Sequence, residues 1–148
     1  MDEKHEQDQY FFDRDTLEHL AGFLGSFPRV CLLCAPMLGR VMSAQRGGVT
    51  VLDIDERFCQ VQGFRYWNIY RPEAVQEDFD LVVCDPPFHK VSLSQLFRAI
   101  RVLTRFRADH RLLVSYLWRR QHAVVGTFRT YALEPTGYFP AYATVPLL

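Results

Sequence analysis

Four short apolar runs, at 29–34 (RVCLLC), 49–53 (VTVLD), 64–69 (FRYWNI) and 79–84 (FDLVVC), lack the strict polar alternation of a strand with one wet face. Strands that are apolar on both sides belong in a sheet covered on both faces, and such sheets are parallel and lie between layers of helix. A fifth run, RLLVSYLW at 111–118, fits the same description. The segments between supply the cover. Asp13 stands as an N-cap before Leu17, Leu20, Phe23 and Leu24, which are spaced along one helical face, and Gly25 ends that helix. Leu93, Leu96, Phe97, Ile100 and Leu103 form a second apolar stripe, with Arg98, Arg101 and Arg105 on the opposite side. TFRTYAL (127–133) and YATVPLL (142–148), joined through the turn-rich EPTGYFP, read as two closing strands. The expected fold is therefore α/β, a mostly parallel sheet with an antiparallel C-terminal edge, in one domain spanning 1–148 with residues 1–9 disordered.

With 148 residues, 49% of them hydrophobic, the chain suits one domain with a core of its own. The opening MDEKHEQDQ is charged and the longest apolar runs are strand-sized, so neither a signal peptide nor a membrane span is expected. That points to a cytoplasmic or nuclear protein rather than a secreted one. Cys31, Cys34, Cys59 and Cys84 lack the paired spacing of a zinc site, and no metal is expected. The net charge is zero but unevenly spread. Residues 1–28 are acid-rich, whereas from 90 to 129 Lys90, Arg98, Arg101, Arg105, Arg107, Arg111, Arg119, Arg120 and Arg129 face only Asp109. Such asymmetry suits a polyanionic partner, and equally suits ordinary solvated faces.

In an open α/β sheet a ligand binds beyond the carboxyl ends of the strands, where the strand order reverses. That rule selects Cys34 to Arg40, Asp53 to Asp55, Asn68, and Asp85 to Phe88. An acid closing the second strand can accept hydrogen bonds from the two hydroxyls of a ribose, and Asp53 fits better than Asp55, which can cap the next turn. Both acids can alternatively be read as caps alone. Asn68 offers an amide to the edge of an adenine. The first turn, CAPMLGR, holds only Gly39 and carries no phosphate-binding fingerprint, so a ligand recognised through its nucleoside fits better than a pyrophosphate. After the fourth strand the chain stops abruptly at Asp85-Pro86-Pro87-Phe88, since two prolines remove two donors and hold the backbone extended. The Asp85 carboxylate and the Pro86 carbonyl are two acceptors suited to a planar NH2 group, and Phe88 supplies a face for the ring that bears it.

The DPPF tetrad resembles the (D/N)PP(F/Y) signature of S-adenosylmethionine-dependent amino methyltransferases. QYFFDRDTLEHL, VTVLDIDERF, YWNIYRP and LVVCDPPF stand in the order and spacing of the CCHC zinc-finger ribosomal-RNA adenine-N6 methyltransferases, over about residues 9 to 118. They also resemble the related small family whose members methylate a lysine of translation elongation factor 1A. The resemblance implies a Rossmann-like class I methyltransferase fold, S-adenosyl-L-methionine as cofactor, and methyl transfer to adenine N6 in RNA, in particular ribosomal RNA in the cytoplasm, nucleus or nucleolus. It implies Asp85, Pro86, Pro87 and Phe88 as catalytic residues. It implies Ala35, Pro36, Met37, Leu38, Asp53, Ile54, Asn68 and Asp85 around the donor, and Tyr10, Phe11, Phe12, Phe88, His89 and Lys90 around the substrate. The N-terminal aromatics can alternatively staple the first helix, and His89-Lys90 can reach a phosphate or only solvent. The flanking zinc modules of the RNA enzymes are lacking, so RNA recognition would fall to the domain surface or to an activating protein partner. Lysine methylation, or a catalytically inactive binding module, are the alternatives.

Overall fold

The structure, a computed structural model, describes residues 1–143. Five strands, β1 (Val30–Leu33), β2 (Val49–Asp53), β3 (Phe64–Tyr66), β4 (Leu81–Cys84) and β5 (Arg111–Val114), form one sheet in the order β3-β2-β1-β4-β5. Every pairing is parallel. Helices α1 (Arg14–Leu24) and α2 (Pro36–Gln45) cover one face, and α3 (Leu93–Leu103) and α4 (Gln121–Thr127) the other.

The lack of polar alternation now has its cause. Val30 and Leu32 of β1 enter a core with Leu24, Leu38 and Val51, while Cys31 and Leu33 enter the opposite core with Leu96, Ile100 and Phe128. Local signals fix the helices. Asp13 caps α1, its Oδ1 accepting from the Thr16 N–H at 2.9 Å. Ser92 and Gln95 close a reciprocal capping box at the start of α3. Pro36 opens α2 in the first turn, where a missing N–H costs nothing. Gly39 lets that helix lie on β2, because a Cβ there would stand 2.5 Å from a Val51 methyl.

Three expectations change. Residues 127–133 are no strand: they hold the end of α4 and a 3-10 turn, Arg129–Tyr131, and Phe128 is buried edge-on to Phe97 at 5.4 Å. Aromatic and β-branched composition suggested a strand there, but packing beneath α3 decided otherwise. The other proposed closing strand lies mostly outside the described residues. Its first residue, Tyr142, makes an isolated antiparallel bridge to Phe12, and β5 is the edge of the described sheet. Residues 1–9 are described in a definite place, with a 3-10 turn at His5–Gln7 and Asp8 buried. No described helix is long and apolar enough to cross a membrane.

Candidate functional site

The chain builds β1, β2 and β3 in one direction and then β4 and β5 in the other, so the strand order reverses between β1 and β4. A crevice forms beyond the carboxyl ends of strands at such a point. Pairing of β1 with both neighbours continues one residue past the strand ends: Cys34 N–H donates to Leu52 O at 3.0 Å, and Asp85 N–H to Leu33 O at 3.1 Å. Cys34 adopts a left-handed conformation, φ 61°, so the tight turn from β1 into α2 is made without glycine.

A cleft of about 220 Å³ opens at this place. Cys34 and Pro36 border it from the β1 turn, Asp53 and Ile54 from β2, Trp67, Ile69 and Tyr70 from beyond β3, and Asp85 to Phe88 from beyond β4. Residues 7–11 form its roof. The roof is tied down on both sides: Gln9 Nε2 donates to Asp55 Oδ2 at 2.9 Å, and the His89 N–H donates to Asp8 Oδ2 at 2.9 Å. Lys90 Nζ also donates to the Glu6 carbonyl.

The two acids of the cleft differ from ordinary carboxylates. Asp53 is buried, and burial pushes it up to about 6, against the N–H groups of Asp55 and Ile54, which work the other way. Its Oδ1 accepts from the Asp55 N–H at 2.8 Å. Asp55 itself caps the 3-10 turn Glu56–Phe58; burial opposes its charge, but Arg57, at 2.7 Å, and Gln9 hold it down to about 2. Burial pushes Asp85 up to about 8, although the hydroxyls of Tyr142 and Ser115 pull it down. Asp85 Oδ1 accepts from Tyr142 Oη at 2.8 Å, and Ser115 Oγ lies 3.1 Å from the same phenol. The Pro86 carbonyl accepts from no described donor.

Asp85 is also on the wall of a second, larger cleft of about 560 Å³, bounded by Ser115 to Trp118 beyond β5, by Phe12, and by residues 130–140. The Tyr142 ring stands beside the acid. It stacks on Phe12 at 5.2 Å and meets Phe88 edge-on at 6.0 Å, and Phe88 meets Tyr116 edge-on at 5.6 Å.

A family model described as probable N6-adenine methyltransferase matches residues 3–144. The chain belongs to that family. The match runs well beyond the segment over which the motifs alone resemble it. No curated protein and no solved structure matches the chain.

In this N6-adenine methyltransferase family member the cleft brings together Tyr10, Phe11, Pro36, Asp53, Ile54, Asp85, Pro86, Pro87, Phe88 and Lys90. Phe12 lines the larger cleft instead. Asn68 lines neither cleft, its Oδ1 accepting from the Tyr70 N–H at 2.9 Å, while its neighbours Trp67 and Ile69 line the smaller one. Ala35, Met37 and Leu38 also line neither cleft; Ala35 and Leu38 are buried under the sheet and Met37 packs against the same core. His89 reaches the site only through its backbone. Cys34, at the strand end the sequence selects, borders the smaller cleft, whereas Asp8, Trp67, Ser115, Tyr116 and Tyr142 carry no such signal in the sequence. The strand-end rule would have found Ser115 and Tyr116 had β5 been ended at Val114 rather than at 118.

Proposed function

We propose that this methyltransferase uses S-adenosylmethionine to methylate the N6 amine of adenine in RNA, with ribosomal RNA as the leading substrate. The observation that carries the reading is the position of Asp85, a buried carboxylate on the shared wall of two clefts, with an aromatic ring already hydrogen-bonded to it. The smaller cleft suits the donor nucleoside: Asp53 for the ribose hydroxyls, and Ile54, Trp67 and Ile69 as an apolar slot for the base. The donor supplies an electrophilic methyl group on a positive sulfur.

The protein's part is orientation and lone-pair control. Asp85 and the Pro86 carbonyl accept the two hydrogens of the amine, which draws the nitrogen lone pair out of the ring and toward the methyl group. Phe88 carries the ring face. The new N–C bond would form as the sulfur–methyl bond breaks and its electron pair stays on a neutral thioether, and the surplus proton of the amine would pass to the Asp85 carboxylate, whose raised proton affinity suits it. Tyr142 holds the place of the target, with a hydroxyl on Asp85 and a ring against Phe88, so an entering base must displace it. In structured RNA that base must also be flipped out of its stack.

Asp8 favours a second reading. Its carboxylate joins Asp53 and Asp85 around the smaller cleft, and such an acidic mouth attracts a lysine ammonium. Incubation with methyl-labelled donor and separated RNA and protein fractions distinguishes the two. Label in N6-methyladenosine of the RNA is expected, and label in protein alone would reject the RNA reading.

A further inference from the structure

The basic charge between 90 and 129 is not uniform once side-chain partners are known. Arg105 and Arg107 pair with Asp78, and Arg107 also with Asp109. Arg119 and Arg120 make no ion pair among the described residues. They lie in the 3-10 turn Trp118–Arg120, directly beyond β5 and on the same side of the sheet as Asp85.

Side chains three apart on such a turn share a direction. Trp118 and Gln121 both line the larger cleft, and Arg119 and Arg120, between them in the chain, are exposed and do not line it. Trp118 is 50% exposed and Phe139 54% exposed, and their rings meet at 5.1 Å. Two large aromatic rings left together in water mark a contact surface. Both rings line the cleft that ends at Asp85. Its described acids are Asp85 and Glu134, the latter exposed. Aromatic faces beside unpaired guanidiniums, along a groove leading to a buried acceptor, match the chemistry of a single strand of nucleic acid.

We propose that Trp118 and Phe139 stack a nucleotide adjacent to the target adenine, that Arg119 and Arg120 hold its phosphates, and that the larger cleft is the track by which single-stranded RNA reaches Asp85. This rests on the RNA reading above. The test is fluorescence anisotropy of a labelled single-stranded oligoribonucleotide carrying one central adenosine, titrated with the whole protein over a range of salt. Loss of one stacking face in Trp118→Ala is expected to weaken binding about tenfold at every salt concentration. The double variant Arg119→Gln/Arg120→Gln is expected to flatten the slope of log affinity against log salt by about 1.4, since each phosphate contact on a single strand contributes about 0.7. Arg98→Gln, an exposed charge on α3, is expected to change little. Donor binding by calorimetry should match wild type in all of them, which shows that the fold is intact. If wild type binds the oligonucleotide and the Trp118 and Arg119/Arg120 variants bind it equally well with the same salt slope, the track is wrong while the RNA reading stands. If wild type binds no RNA and labels protein instead, both fall.

Discussion

At the scale of single residues, the proposed chemistry turns on the proton held by Asp85. Its carboxyl rises to about 8 on burial, from an ordinary value of about 4, so near neutral pH much of the folded protein carries it protonated, a weaker acceptor with no capacity for the surplus proton of the amine. Transfer should therefore rise with pH toward 8, and Asp85→Asn, which keeps one acceptor and cannot titrate, should lose that rise. The same shift affects stability. Between about 4 and 8 the folded state holds a proton that the unfolded chain has lost, so stability is fullest at the acid side of that window and falls as pH rises through it. Asp85→Asn should show a smaller drop in Tm between pH 5 and pH 8 than wild type. A smaller effect of the same sign belongs to Asp53, raised to about 6. In the proposed donor placement ribose hydroxyls would donate to its ionised form, so calorimetry should find donor affinity weaker at pH 5 than at pH 7.5, and Asp53→Ala weakened at both. Tyr142 lines the smaller cleft and also bonds Asp85. Removing its hydrogen bond to Asp85 and its contact with Phe88 in Tyr142→Ala should raise transfer several-fold by clearing the place given to the target. A fall in transfer would show that the phenol assists the reaction.

At the scale of elements, the bounds that sequence gives well are those with a local cause. β2 runs Val49–Asp53 and α3 runs Leu93–Leu103, as the apolar run and stripe imply, and Asp13 and Gly25 bracket α1. α2 was illegible because Pro36 reads as a turn residue, although it is also a favoured helix opener. The glycine in that segment serves contact between layers rather than ligand approach. Gly39→Ala sets helix propensity, a gain of up to about 1 kcal/mol, against overpacking of about 1–3 kcal/mol. Val51 is fully buried and stiff at its branched Cβ, so the clash should win and Tm should drop by several degrees. At the exposed start of α3, Ser92→Ala should lower stability by about 1 kcal/mol, read from denaturant midpoints, through loss of the capping box.

At the scale of the whole molecule, the fold class and part of the candidate site, Pro36, Asp53, Ile54 and Asp85 to Phe88, were legible, because buried parallel strands and their carboxyl ends follow from composition and order. The rest was not. Ser115 and Tyr142 reach Asp85, and Tyr116 reaches Phe88, only through long-range packing; the apolar run 111–118 hides the end of β5 that would mark Ser115 and Tyr116, and nothing near Tyr142 in sequence announces its place. The roof over the smaller cleft was hidden for the same reason, since Asp8 and Gln9 gain their roles from His89 and Asp55, 81 and 46 residues away. The result is a sheet whose switch point presents one acid to two clefts, a small one beneath a tied roof and a larger one at the β5 edge. The most direct test is methyl transfer to RNA by Asp85→Ala beside wild type, with donor binding measured on the same samples. Donor affinity should stay within a few-fold of wild type while label in N6-methyladenosine falls by at least about a hundredfold. Transfer by Asp85→Ala at the wild-type rate would contradict the central role given to that carboxylate.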